Sequence, residues 1–141
     1  MTDFTVIAVG RLKEAYFVDA VDEYVKRIGG FGRIKLIDVK GDGEIPAKIP
    51  RGAYVFALCI EGKQLGSQAF ADKLAQVCLS EKKGVCFLIG GSEGLAPEVK
   101  AIADFKLSMS DMTFPHRLAK IMLLEQLYRA LSIQNNGKYH K

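Results

Sequence analysis

The chain has 141 residues, 49% of them hydrophobic and 26% charged, with a net charge of +4 from 20 basic and 16 acidic side chains. That is enough chain for one domain with a real core, and too balanced a composition for a disordered or fibrous protein. No apolar run approaches the roughly 18 residues that span a bilayer. The start Met1-Thr2-Asp3-Phe4 has no basic, apolar leader, so a cytoplasmic protein without a membrane partner is expected. The small positive excess permits a polyanionic partner without demanding one.

Residues 4–10 (FTVIAVG) are apolar and end in glycine, which predicts a buried strand. Phe17, Val21, Tyr24, Val25 and Ile28 then recur at helical spacing, up to a stop at Gly29 and Gly30. Residues 33–40 (RIKLIDVK) read as a second strand. The stretch 41–52 holds Gly41, Gly43, Pro46, Pro50 and Gly52 and is expected to be a mobile surface loop without a regular element. Residues 53–60 (AYVFALCI) are nearly all apolar, as suits a strand covered on both faces in a parallel sheet, with Glu61, Gly62 and Lys63 as the loop after it. Ser67 is placed to cap a helix with apolar positions Phe70, Ala71, Leu74, Ala75 and Cys78.

Residues 84–89 (GVCFLI) form another apolar strand, and the glycine-rich loop 90–94 (GGSEG) follows it. Pro97 suits the first turn of a short helix. Residues 105–110 (FKLSMS) predict the last strand, and Thr113 is expected to cap a long helix reaching about 133. In that helix Glu125 and Arg129 form a favourably oriented i,i+4 pair. Leu118, Ile121, Met122, Leu123, Leu124, Leu127, Tyr128 and Leu131 cover more than one stripe. One face can pack on the sheet; the remainder needs a partner, and a second copy of the chain is the simplest. The alternation of strands and helices defines an α/β class, a single domain over 1–141 with a mainly parallel sheet and helices on both faces. Cys59, Cys78 and Cys86 are odd in number, form no Cys-x-x-Cys pair and lie in apolar settings, which predicts buried thiols rather than a disulfide or a metal site.

In open α/β sheets ligands bind outside the carboxyl ends of the strands. Here three apolar strands end in distinctive loops, Leu58 to Lys63, Gly90 to Gly94 and Met109 to Phe114. The 90–94 loop lacks the lysine and hydroxyl of a P-loop and does not match Gly-x-Gly-x-x-Gly, so an ATP or nicotinamide site is poorly supported. Read alone, the loop is either a cradle of inward-pointing amides or a tight strand-to-helix turn.

The runs VIAVGRLKE, LIGGSEGLAPEV, LSMSDMTFPHRLAKIMLLEQLYRALSI and NNGKYHK together resemble the RlmH family. These are the large-subunit (23S) rRNA pseudouridine N3-methyltransferases of the SPOUT, or trefoil-knotted, superfamily, and the resemblance covers essentially the whole chain. It implies a knotted carboxyl-terminal segment and a homodimer formed through the last helix. It implies S-adenosylmethionine as cofactor, held by Leu58, by Gly90, and by Met109, Ser110, Asp111, Met112, Thr113 and Phe114. It places the tail at the reaction, with Tyr139 to stack on a base and His140 and Lys141 to meet phosphate. His116, from its position beside the third segment, is a further catalytic candidate, and Arg117 and Arg129 are candidate RNA contacts. The family's His-Pro-Tyr-His-Arg ending stands here as Gly137-Lys138-Tyr139-His140-Lys141, without the proline and with lysine for arginine. The residues themselves leave His116 open between a base or substrate contact and a polar first-turn residue. Arg11, Lys13, Arg117, Lys120 and Arg129 can meet RNA or simply be solvated. The implied substrate is an rRNA stem-loop on the assembled ribosome, with no metal. The competing readings are a tRNA methyltransferase of the same superfamily and a non-catalytic RNA- or ribosome-binding module.

Overall fold

A computed structural model describes residues 2–140. The strands are β1 (Asp3–Val9), β2 (Arg33–Val39), β3 (Tyr54–Gln64), β4 (Val85–Ile89) and β5 (Phe105–Ser108). The helices are α1 (Ala15–Ile28), α2 (Ile45–Lys48), α3 (Ser67–Cys78), α4 (Pro97–Lys100) and α5 (His116–Gln134). One five-stranded sheet has the order β2-β1-β4-β3-β5, and every pairing in it is parallel. No helix among the described residues is long and apolar enough to cross a membrane.

The near-continuous apolar runs follow from this arrangement, because alternate side chains of a strand serve opposite faces and both faces are covered. In β1, Phe4, Val6 and Ala8 join a core with α1, α3 and α5, while Ile7 joins a second core with Ile45 of α2 and Val99 of α4. Strand β4 divides in the same way, with Val85, Phe87 and Ile89 on one face and Cys86 and Leu88 on the other. Phe56 and Phe87 stack at 5.0 Å between centroids, and Phe70 of α3 meets Phe56 edge-on. These contacts fix α3 against the middle of the sheet.

Several local expectations are corrected. The 41–52 stretch is not a structureless loop: a 3-10 turn at Asp42–Glu44 runs into α2, and Ile45 is fully buried. Pro46 sits in the first turn of α2, where a missing amide costs nothing. The Glu44 carboxylate accepts from the amides of Lys40 (2.8 Å) and Gly41 (3.2 Å), and Asp42 accepts from the amide of Ala96. Residues 61–63 are not a loop either, since β3 continues to Gln64 through a shift of register in which Leu107 is partnered by both Leu58 and Lys63. A side chain at Gly62 would come within 2.7 Å of the Lys106 backbone; only glycine permits so close an approach.

Neither predicted cap is used. Gly66 holds the cap position of α3, and the Ser67 hydroxyl instead bonds Gln126 at 2.7 Å, tying α3 to α5. Helix α5 starts at His116 behind Pro115, which leaves Thr113 exposed in the preceding loop. Lys120 is not solvated: its ammonium is buried and sits 3.0 Å from Asp38 of β2. The predicted second apolar side of α5 is mostly taken up within the chain, since Ile121 and Tyr128 pack against the same core as its leucines. Leu123, Leu124, Leu127 and Leu131 are buried in the chain, whereas Leu118 is exposed and Met122 half-buried.

Replacing Ile45 with alanine is expected to lower unfolding stability by about 2–4 kcal/mol, as for other buried Ile-to-Ala changes. A urea midpoint unchanged from the wild type would mean that α2 is not part of the cooperative core.

Candidate active site

A parallel sheet gathers the carboxyl ends of its strands along one edge, and a cavity of about 480 Å³ opens at the ends of β3, β4 and β5. Leu58 and Glu61 reach it from β3, Gly90 and the turn after it from β4, and Met109, Ser110, Met112, Thr113 and Phe114 from the segment after β5. His116 and Ala119 bring the first turn of α5 to the same wall. Of the eight positions implied for the cofactor, seven line this one cavity. Asp111 does not: it is exposed and its carboxylate accepts from the Gln64 side-chain amide at 2.6 Å.

The 90–94 loop is a tight turn that also forms a cavity wall. The amide of Gly94 donates to the carbonyl of Gly91 at 3.0 Å, and Gly94 takes φ +79°. A Cβ on buried Gly90 would meet the Leu95 nitrogen at 2.6 Å. The loop therefore needs glycine for backbone reasons and presents backbone polar groups to the cavity. The third segment is ordered from within, since the Ser110 hydroxyl accepts from the amide of Met112 (3.0 Å) and the Ser108 hydroxyl donates to the Ser110 carbonyl (3.1 Å).

His116 is half-buried, and its Nε2 lies 3.8 Å from where a side chain on Gly10 would begin. It thus stands between the cavity and the segment that leaves β1. Arg117, next to it, is exposed and paired with Glu14 of that same segment. Lys120 and Asp38 anchor this first turn of α5 one turn further on.

Tyr139 and His140 lie elsewhere in the chain. The Tyr139 hydroxyl donates to Glu125 at 2.6 Å, its ring meets Tyr128 edge-on at 4.8 Å, and the Arg129 guanidinium covers it at 4.7 Å. Arg129 also bonds Glu125 and lies 3.0 Å from His140 Nδ1. Ala119 at the cavity and Arg129 are ten residues apart on α5, about 15 Å at the helical rise. Within one chain, then, the tail is folded on its own helix and away from the cavity. Lys141 lies outside the described residues.

Hydrogen bonding to Glu125 pushes the Tyr139 phenol up to about 12, with burial adding to it. Burial alone would raise Glu125, but its bonds from Arg129 and Tyr139 outweigh that and hold it low. Glu61 is held at about 2, chiefly by the hydrogen bond from Lys100, 2.8 Å away across the cavity rim. Sequence reasoning placed the 58–63 segment at the crevice but gave Glu61 no role there, and missed Lys100, Leu95 and Ala119 as lining residues. Glu61 stood in a presumed loop, and nothing in the spacing of Lys100 marks it as facing Glu61.

A glycine-walled cavity at the carboxyl edge of a parallel α/β sheet is the place where proteins of this class bind ligands, and the described wall carries no phosphate-loop lysine and hydroxyl pair. Residues 2–140 match the family model described as "Predicted SPOUT methyltransferase"; the chain belongs to the SPOUT methyltransferase family. It is 44% identical to ribosomal RNA large subunit methyltransferase H of Exiguobacterium sibiricum, with 97% of this chain and 98% of that one covered. It is 39% identical to the protein of the same name from Alkaliphilus oremlandii, with 99% of each covered. Among solved structures, a methylase-family protein from Haemophilus influenzae Rd KW20 shares the fold at TM-score 0.64 and 12% identity, covering 98% of this chain and 70% of that one. So does the SpoU methyltransferase AviRb from Streptomyces viridochromogenes in complex with AdoMet, at TM-score 0.54 and 14% identity, covering 98% and 60%.

The Tyr139 phenol is expected to titrate near 12, against about 10 for a free tyrosine. Its bond to Glu125 favours the neutral phenol. The stability it contributes is therefore present below about pH 10 and lost as pH rises through the folded value. In Glu125→Gln the titration, followed on the Tyr139 ring by NMR, should return toward the free value. A Tyr139 pKa indifferent to that substitution would mean that the tail is not docked on Glu125.

Proposed function

We propose that the chain is an S-adenosylmethionine-dependent methyltransferase acting on N3 of a pseudouridine in large-subunit rRNA, on the assembled ribosome. The observation that carries this is the convergence of Leu58, Gly90 and the 109–114 segment on a single cavity. Their types suit the cofactor. It brings an adenine, a ribose and an amino-acid tail but no phosphate, so apolar walls and backbone groups can hold it without a phosphate-loop lysine. The cavity of about 480 Å³ is of the size such ligands occupy. The methyltransferase H relatives, matched over nearly their whole length, support the rRNA substrate.

The cofactor, when bound, supplies an activated methyl group. The chain has to align the base with that group and remove the N3 proton. His116 is the side chain at the cavity wall suited to the proton, with Arg117 beside it for the RNA backbone. Tyr139 and His140 reach the reaction from the second subunit of a homodimer built on the Leu118 and Met122 side of α5. Two features support that assembly: exposed Leu118 beside half-buried Met122 on α5, and a tail too far along α5 to serve its own cavity. Asp111 contributes through its bond to Gln64, which holds the third segment. Arg129 and Glu125 hold the tail in place, so Arg129 meets RNA only through it. The carboxyl-terminal knot of the superfamily and a cytoplasmic location belong to the same reading.

Labelled S-adenosylmethionine offered with ribosomes lacking the modification, with free large-subunit rRNA and with bulk tRNA tests this. Label on ribosomes is the expected result, and His116→Ala should lower it by about 10²-fold or more if His116 moves the proton. Label on tRNA alone would move the function to another member of the superfamily. No label anywhere and no cofactor binding would leave a non-catalytic RNA-binding module.

A further inference from the structure

The cavity wall has one charged sector. Among the described lining residues Lys100 is the one ammonium, and Glu61 and Glu93 are the carboxylates. Lys100 comes from the end of α4 and Glu61 from the irregular part of β3, and they meet at 2.8 Å. The Lys100 side chain is 22% exposed, so its stem is packed and its head is held at the rim. An ammonium has three donors, of which Glu61 takes one. The rest of the described wall carries no other Lys, Arg, Asp or Glu: it is apolar from Leu58 through Ile89 and Leu95 to Met109 and Phe114, with the hydroxyls of Ser92, Ser108, Ser110 and Thr113 and the His116 ring between.

A surface ion pair stabilises a fold little, and nothing about the wall requires charge to close it. A ligand with an amino-acid tail does require charge. Its carboxylate and ammonium lose water on entering the cavity and need partners of opposite sign. Resting on the cofactor assignment above, we propose that Glu61 and Lys100 form the subsite for the amino-acid tail, Lys100 taking the carboxylate and Glu61 the ammonium. The preformed pair keeps both groups oriented and charged, so the tail joins a four-charge ring. This also sets the direction of the cofactor. Lys100 repels the sulfonium, so the tail lies toward α4 and the methyl toward the His116 side of the cavity, where the base arrives.

Calorimetric binding of three ligands to the full chain tests it: S-adenosylmethionine, S-adenosylhomocysteine and 5′-methylthioadenosine. The last keeps the nucleoside and sulfur but has no tail. Lys100→Met retains an apolar stem and should weaken the first two by about tenfold or more, the worth of one charge-assisted hydrogen bond. Methylthioadenosine should stay within about twofold, which shows that the cavity is intact. Glu61→Gln should act in the same direction. Equal losses for all three ligands would make the pair a mere wall support, and no loss for any would place the tail elsewhere; either result overturns the subsite. If the wild-type chain binds none of them, the cofactor assignment falls and the subsite with it.

Discussion

Parallel strand pairing is the constraint from which the rest of this molecule follows. A parallel neighbour cannot be reached by a tight turn, so the chain crosses back over a face of the sheet after every strand. The crossings cover both faces, which requires strands apolar on both sides, and they leave every strand's carboxyl end on one edge. β3, β4 and β5 lie within three adjacent positions of the sheet, so the segments that leave them must share space there. The cavity is a product of that arrangement before any particular side chain is considered.

Side chains then divide the work between two ends of α5. Its first turn is fixed by Lys120 on Asp38 and by Arg117 on Glu14, and it presents His116 to the cavity. The far end is fixed by Leu127 and Leu131 in the core and holds Tyr139 through Glu125 and Arg129. Lys120 is buried while Asp38 stays exposed, so the pair is costly to break on the Asp38 side, where a buried ammonium would be left without a partner. Its role fits positioning: it sets the rotation of α5 about its axis, and thereby where His116 faces.

The apolar runs at 53–60 and 84–89 made the parallel sheet legible in the sequence, because both faces of each strand are buried. The strand ends at 58–63, 90–94 and 109–114 made a ligand crevice legible from the parallel sheet alone, whereas its ligand was legible only through family resemblance. What stayed hidden depended on tertiary contacts. Ile45 amid prolines and glycines looked like loop, yet one buried side chain and two carboxylate-capped turns order that stretch. Ser67 and Thr113 had the chemistry of caps, but Gln126 and the Pro115 start of α5 offered better arrangements. Lys120 looked solvated because the charge opposite it lies 82 residues earlier. Glu61 was read as loop because Gly62 suggested a turn, whereas that glycine exists for backbone proximity to β5.

The strand order also bears on how the chain comes together during synthesis. β4 stands between β1 and β3, and β5 beyond β3. Until Ile89 has been made, the chain has three strands but one pair, β1 with β2, and β3 has neither of its neighbours. An apolar strand with two open edges is the kind of segment that recruits other chains. Non-local pairing of this sort is slow to form. The nascent protein therefore passes through a stage in which Tyr54, Val55, Phe56 and Ala57 are made but unpaired; the arrival of β4 joins β3 to the β1–β2 pair, and β5 covers the remaining edge of β3 last.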